Sequence, residues 1–329
     1  MQSHSDIDIQ SAVAAYLDSV RLARSQNTAR TYGNALSSFI ETLQDEGIAP
    51  EEERLDALSE DAVAWFATAL KDYAPATERL YLTAVSGFYD YLAAEGLADP
   101  SLPRVKMLIK QRARRPGVRL PQFPRDAIQD VLDYADSLVL SPVEDADERL
   151  RNLRDRAFMI TLADTGLRVH EACGLRRGDI DWNEGKAVII GKGDKQAVVR
   201  FSSRSLQALK AYLNARAELD GGSGRALRAL PVFARHDRGA GSQVKPITTT
   251  TGRNIISQRV KEGLGEEAVG SITPHSFRHY FVTTVLRASG GNLKLAQELA
   301  RHKNIQVTQR YAHLSDDELD RGYFEVFEK

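Results

Sequence analysis

The chain has 329 residues, of which 42% are hydrophobic and 27% charged, with 44 Lys/Arg against 45 Asp/Glu and a single cysteine. That length points to two domains, no apolar run approaches the ~18–20 residues that cross a bilayer, and one cysteine excludes both an internal disulfide and a Cys-based zinc site. The near-zero net charge hides an asymmetry: residues 1–100 hold 6 Lys/Arg against 17 Asp/Glu, while residues 101–329 hold the other 38 Lys/Arg with 28 Asp/Glu. A polyanionic partner is therefore favoured for the C-terminal part.

The polar, acidic start MQSHSDIDIQ has neither the basic flank nor the apolar stretch of a signal peptide, and the reading is a cytoplasmic protein. From Ile9 to Leu97 apolar residues recur at three- and four-residue steps: Val13, Tyr16, Leu17 and Val20, then Tyr32, Leu36, Phe39, Ile40 and Leu43, then Leu80, Tyr81, Val85, Phe88 and Leu92. Asn27 or Thr28 is the expected N-cap of the second helix, and Gly47, Pro50, Pro75 and Gly96 punctuate a bundle of about four helices. Residues 1–100 are thus the first expected domain. The stretch 101–124 is Pro-rich and basic, with eight Lys/Arg and no acid between Ser101 and Arg125, and reads as an interdomain linker or a strap along a phosphate backbone.

The second domain is expected over 125–329. Helices are predicted at Asp126–Leu140, Arg154–Ala163 and Val169–Leu175. The β-branched runs Lys186–Ile190 and Ala197–Phe201 then flank Gly-Lys-Gly-Asp-Lys, a hairpin signal. Further helices are predicted at Ser205–Leu219, Thr249–Leu264, Pro274–Ala288, Leu293–Ala300, Ile305–Ala312 and Asp316–Phe327, with GGSGRALRAL and ARHDRGAGSQ as flexible loops. Trp182 is expected at the strand entrance and Cys173 as a small core residue.

Four histidines (His275, His279, His302 and His313), three arginines and two tyrosines fall in TPHSFRHYF (Thr273–Phe281) and ARHKNIQVTQRYAHL (Ala300–Leu314). His275 and His279 have the spacing of a metal-binding helix, but the intervening Glu is missing and Arg278 between them would repel a cation. An anion fits better. Thr273 is an N-cap candidate and Pro274 suits the first helical position, so His275 and Arg278 project from a helix N-terminus, where the dipole and open N–H groups favour negative charge. Arg168 follows a TG turn and also starts a helix, with Glu171 one turn on. Two guanidinium forks suit phosphate oxygens. Taken singly, Tyr311 would read as a core aromatic and His302 as a helix cap.

Together these boxes resemble the tyrosine recombinase (phage integrase) family, closest in pattern to its Xer-like members. TGLRVHEACGLR resembles the first arginine box, GKGDK the hairpin that carries the family's lysine, TPHSFRH the H-x-x-R box, and ARH with Tyr311 nine residues beyond His302 the last histidine and the nucleophile. NTARTY echoes a T-x-x-x-Y helix of the N-terminal domain. The resemblance implies a mainly α fold with a small β-sheet: a helical, SAM-like core-binding domain and a catalytic domain that close as a C-shaped clamp around double-stranded DNA. It implies that Tyr311 attacks a scissile phosphate and becomes linked to its 3′ side, that Arg168 and Arg278 hold the non-bridging oxygens, and that Lys192 protonates the leaving 5′-oxygen. His275 is then the acid/base around tyrosine and phosphate, His302 a donor to a non-bridging oxygen, and Glu171 a brace. Thr28, Arg30, Arg112, Arg114 and Arg115 are the expected DNA contacts.

The resemblance further implies no metal and no cofactor, and a homotetramer that joins two DNA sites through a Holliday junction, with a partner recombinase or accessory protein possible in such systems. In this family a C-terminal tail commonly docks on a neighbouring subunit, and Leu319, Tyr323, Phe324 and Phe327 give this tail one apolar side. No arm-binding domain is seen before Ile9, which favours a simple recombinase. Two alternatives share the pattern: a type IB topoisomerase-like enzyme that acts as a monomer, and a DNA-binding accessory protein that does not cut. Two features depart from the family. The N-terminal domain is acidic for a module that clasps DNA, and the last box reads L-A-R-H instead of L-G-H. Arg301 thus stands at the usual glycine, either altering the turn that places His302 or adding a DNA contact.

Overall fold

The structure is a computed structural model that describes residues 7–114, 125–140, 143–191, 195–237, 239 and 243–309. It divides into two compact units, Met1–Arg119 and Leu120–Lys329.

In the first unit, α1 (Ile9–Ala23), α2 (Gln26–Asp45), α3 (Asp61–Ala69), α4 (Pro75–Ala94) and α5 (Leu102–Arg112) enclose one apolar core. Most of the periodic residues face inward, Leu36, Phe39, Val85, Phe88 and Leu92 being buried, whereas Leu80 is exposed. Each buried Phe or Leu contributes roughly 1.5–3 kcal/mol from apolar surface removed from water. The N-cap of α2 is Ser25, whose side chain accepts from the Thr28 amide, and neither Asn27 nor Thr28 caps it. A Ser followed by three polar residues leaves the start of such a helix ambiguous in sequence.

α5 lies within the stretch expected as linker. Its Val105 and Leu108, three residues apart, are buried in the first unit's core, while Arg104 pairs with Glu60 and Asp61. The basic residues are the solvent side of an amphipathic helix, so among the described residues the bundle holds five α-helices where about four were expected. Just beyond α5, Arg114 Nε meets the fully buried Glu78 at 2.5 Å and Lys71 Nζ meets it at 2.9 Å. Burial pushes the Glu78 carboxyl up, but Lys71 and Arg114 outweigh it and bring it to about 2.

The second unit contains α6 (Arg125–Ser137), α7 (Ala146–Thr165), α8 (Val169–Gly174), β1 (Ile180–Asp181), β2 (Lys186–Gly191), β3 (Lys195–Arg200), α9 (Ser203–Ala215), α10 (Ala217–Gly221), α11 (Thr249–Leu264), α12 (Pro274–Ala288), α13 (Leu293–Ala300) and α14 (Ile305–Gln309). α7 is the spine, buried without a break from Ala157 to Ala163. It begins at Ala146, capped by Asp145, two turns before the predicted start. Its early turns bury polar groups that satisfy one another: Arg259 Nη2 donates to Asp155 and Asn152 at 2.8 Å, and Arg154 Nε donates to Asp155 at 2.8 Å. Apolar periodicity could not reveal such a turn.

The sheet is an antiparallel meander β1-β2-β3, with Val188 opposite Val198 and Gly191 opposite Lys195. Ala187, Ile189 and Val199 face the core, and Val188, Ile190 and Val198 face out. The two expected flexible loops are in part core. Leu230, Val232, Phe233, Ala234 and His236 are buried, in a segment pinned by the fully buried Arg216, which donates to the Val232 and Pro231 carbonyls and to Asp220. Arg216 also ends α9, so the predicted Ser205–Leu219 helix is two helices. The expected helix Ile305–Ala312 is described only to Gln309, and Asp316–Phe327 lies outside the described residues. No helix among the described residues is long and apolar enough to cross a membrane.

Candidate active site

Four helix ends of the second unit converge. α7 stops at Gly166, whose φ of +60° is left-handed and where a Cβ would sit 2.4 Å from the Phe281 ring. Only glycine fits this turn. Arg168 is the N-cap of α8, and Glu171 at the third helical position accepts from the Arg168 amide at 2.8 Å and from Arg168 Nη1 at 2.9 Å. The Glu171 side chain is 3% exposed and that of Arg168 is 45% exposed, so the glutamate holds the arginine by its inner edge and leaves the outer edge to solvent.

α12 starts as its sequence dictates, with Thr273 as N-cap, its amide donating to Ser276 Oγ at 3.1 Å, and Pro274 in the first turn. Arg278 one turn on is buried; Nη1 donates to the Gly166 carbonyl and Nη2 to the Ala300 carbonyl. It therefore ties the first arginine turn to the C-terminus of α13. His275 is on the open side of the same helix, its ring 4.2 Å from that of His279 in an edge-to-face arrangement.

α13 ends in a left-handed residue, Arg301 (φ 58°, ψ 43°). The Arg301 amide donates to Glu298 O at 3.1 Å and the His302 amide to Gln297 O at 3.0 Å, the paired bonds of a Schellman turn. The arginine keeps the turn a glycine would make, so the departure from L-G-H leaves the backbone that presents His302 intact. Nδ1 of His302 is bonded to Thr308 Oγ1 at 2.9 Å, and Thr308 is fully buried. That leaves Nε2 as the ring nitrogen available to a ligand.

The electrostatics follow from this convergence. Burial lowers the pKa of His275, and the charges of Arg278 and Arg168 lower it further. Burial, Arg278 and Arg168 bring His302 down to about 4, and burial with His275 and Arg278 brings His279 to about 4. Burial raises the Glu171 carboxyl, but the Arg168 amide, Arg301 and the Arg168 guanidinium outweigh it and hold it below the usual range. A pocket that keeps its histidines neutral while holding guanidinium groups with one carboxylate is poised to take an anion.

Of the residues picked out in sequence, Arg168, Glu171, His275, Arg278 and His302 come together here. Lys192 and Tyr311 lie outside the described residues, as does His313. Among the described residues no group of three or more His, Cys, Asp or Glu is placed to hold a metal ion. The expected DNA contacts lie in the first unit. Arg30 and Arg112 are exposed, and Thr28 Oγ1 is bonded to Ser25 Oγ at 2.9 Å. Arg114 is engaged by Glu78 through its amide and its guanidinium, and Arg115 lies outside the described residues. Sequence reasoning missed the Gly166 carbonyl, Thr308 and the inward course of Arg301. The one available signal was that a residue in place of a turn glycine must be left-handed.

The profile of the Phage integrase family matches residues 123–318, and that of the phage integrase N-terminal SAM-like domain matches residues 13–96. The chain is 33% identical over 248 residues to the tyrosine recombinase XerC of Pelobacter propionicus, covering 75% of this chain and 70% of that one. It is 30% identical over 310 residues to the tyrosine recombinase XerD of Pseudomonas aeruginosa, covering 91% of each. In fold it is similar to the XerH site-specific recombinase solved with a palindromic difH substrate in a post-cleavage complex (TM-score 0.67, 18% identity, 100% of this chain and 91% of that one). It is also similar to the Tn1549 transposon integrase solved with transposon right end DNA (TM-score 0.66, 18% identity, 98% and 100%). With both profiles in order along the chain and the arginine and histidine boxes folded into one pocket, the chain belongs to the phage integrase family, the tyrosine-type site-specific DNA recombinases.

Proposed function

We propose that the pocket of Arg168, His275, Arg278 and His302 holds a scissile DNA phosphate and that Tyr311 attacks it. The Tyr311 oxygen forms a bond to phosphorus, the bond to the 5′-oxygen breaks, and Lys192 gives that oxygen its proton while His275 accepts the proton of the tyrosine. Tyrosine, with an ordinary pKa of ~10, is a poor nucleophile at neutral pH without such a cationic, proton-accepting pocket. The phosphorane gains negative charge on its non-bridging oxygens, where Arg168, Arg278 and His302 Nε2 stand ready. Exchange of a phosphodiester for a phosphotyrosine diester is nearly isoenergetic, so rejoining calls for no ATP. The observation that carries this reading is Arg278, buried and bonded to both Gly166 and Ala300, which draws the two arginine boxes and the last histidine onto one point.

The partner is a double-stranded DNA site, a reading supported by XerH, solved with its difH substrate, and Tn1549 integrase, solved with transposon right end DNA. Residues 1–100 act as the core-binding domain and 125–329 as the catalytic domain. Four protomers join two sites and exchange strands through a Holliday junction. The tail that carries Leu319, Tyr323, Phe324 and Phe327 links neighbours. The outward Val188, Ile190 and Val198 and the exposed Leu295, beside a groove of about 630 Å³ between β3 and α13, offer it an apolar seat. Recombinase is favoured over a topoisomerase-like or accessory role because relatives named as tyrosine recombinases match nearly the whole chain.

The test is a nicked suicide duplex built on a site selected from a random-sequence duplex pool, incubated without metal or ATP. Wild type should give a denaturant-stable adduct and Tyr311→Phe none, whereas equal adducts from both would refute the assignment.

A further inference from the structure

Arg301 breaks a local rule. It is the one non-glycine residue with positive φ among the described residues. Glycine takes that conformation without strain, so whatever retains an arginine here resides in its side chain. That side chain is only 11% exposed. Nη2 donates to Glu171 Oε2 at 3.1 Å and to Gly166 O at 3.3 Å, the carbonyl that Arg278 also uses. Nε and Nη1 are buried and have no hydrogen-bond partner among the described residues.

A side chain that reached for the DNA backbone would keep its fork in solvent. This one turns its fork to a carboxylate. Glu171 is a single negative charge between two arginines, with Oε1 on Arg168 and Oε2 on Arg301. If Arg301 were glycine, the whole charge of Glu171 would fall on Arg168 and offset what Arg168 presents to an incoming phosphate. We propose that Arg301 is a positioning residue of the phosphate site, taking up the charge of Glu171 so that the charge of Arg168 is left for the DNA. The inference rests on the reading that Arg168 and Arg278 hold the scissile phosphate. It also accounts for the two open donors. When Arg168 Nη1 leaves Oε1 for a phosphate oxygen, Nε and Nη1 of Arg301 are the neighbouring N–H groups that take the carboxylate over.

A double-mutant cycle on the full chain tests this, read by single-turnover cleavage of the suicide duplex. Arg301→Gly suits the turn, and should slow cleavage about tenfold or more while Tm holds or rises. In a Glu171→Gln background the same substitution should slow cleavage less than about twofold, because no charge is left to neutralise. Where Glu171→Gln cleaves too slowly to time, the Kd of Tyr311→Phe protein for uncut duplex reads the same cycle. Where Arg301→Gly does not fold, Arg301→Asn, which also tolerates the left-handed turn, replaces it. Equal losses in both backgrounds, or wild-type cleavage by Arg301→Gly, would overturn the proposal. Arg168→Ala separates it from the reading beneath it: full cleavage by that variant refutes the phosphate site itself, while its inactivity alongside equal losses refutes Arg301 alone.

Discussion

Replacing Gly166 by alanine perturbs the site at one backbone atom. Its φ of +60° is strained for any residue with a Cβ, at roughly 1–2 kcal/mol. The new methyl would also lie 2.4 Å from Cδ1 and 2.9 Å from Cγ of Phe281. Phe281 packs with the small cluster of Val282, Leu286, Ala296 and Ala300 between α12 and α13 and cannot withdraw without moving it, an overpacking cost of about 1–3 kcal/mol. The sum, about 2–5 kcal/mol, corresponds to a Tm lower by roughly 5–15 °C for a unit of this size. The larger effect is chemical. The Gly166 carbonyl receives Arg278 and Arg301, so a shift of the turn misplaces both, and a misplacement of about 1 Å costs on the order of 10²-fold in rate. The assay pairs differential scanning calorimetry with single-turnover cleavage of the suicide duplex at a temperature where the variant is folded. Gly174→Ala is the control, since nothing lies within 4 Å of its Cβ position and its backbone is ordinary. A Gly166→Ala protein that melts and cleaves like wild type would refute the convergence of Arg278 and Arg301 on that carbonyl.

Other residues give independent tests. Arg278→Lys loses the planar fork shared between the Gly166 and Ala300 carbonyls, and cleavage should fall about 10²–10³-fold while Kd for uncut DNA changes little; a loss confined to Kd would contradict the assignment. Glu78→Gln removes the buried charge that the partly exposed Lys71 and Arg114 share and should cost the first unit about 1–3 kcal/mol in urea unfolding; a change under about 0.5 kcal/mol would mean these contacts are idle. His236, bonded to the Tyr212 hydroxyl at 2.8 Å, is pushed down to about 3 by burial and then by Arg154, Arg216 and Arg151. The unfolded chain therefore binds a proton near pH 6.5 that the folded chain refuses. Stability should be full above that pH and fall by up to ~2 kcal/mol on going to pH 5. His236→Gln should remove this part of the slope, and an unchanged slope would contradict it.

Much of the site was legible in sequence because its elements announce themselves. Thr273, Pro274 and Ser276 form a helix start whose chemistry is local, and the observed helix runs over Pro274–Ala288 as read. The hairpin was visible in two β-branched runs about Gly-Lys-Gly-Asp-Lys, and the helix over Leu293–Ala300 in its apolar spacing. What escaped was set by partners distant in sequence. α5 was hidden because its four basic residues, at the start of a longer basic and Pro-rich stretch, mask two inward apolar ones. The early turns of α7 and the 230–236 segment were hidden because polar groups are buried there against one another. Arg301 could be singled out but not placed, since its partner Glu171 is 130 residues away.

The most direct measurement of the central claim is the identity of the atom joined to DNA. Adduct trapped on the suicide duplex would be digested with nuclease and trypsin and mapped by mass spectrometry. The account predicts one nucleotide-bearing peptide, modified at Tyr311 through a 3′-phosphate, absent in Tyr311→Phe and severely reduced in Arg278→Lys. Modification at another residue, or a 5′-linked nucleotide, would contradict it.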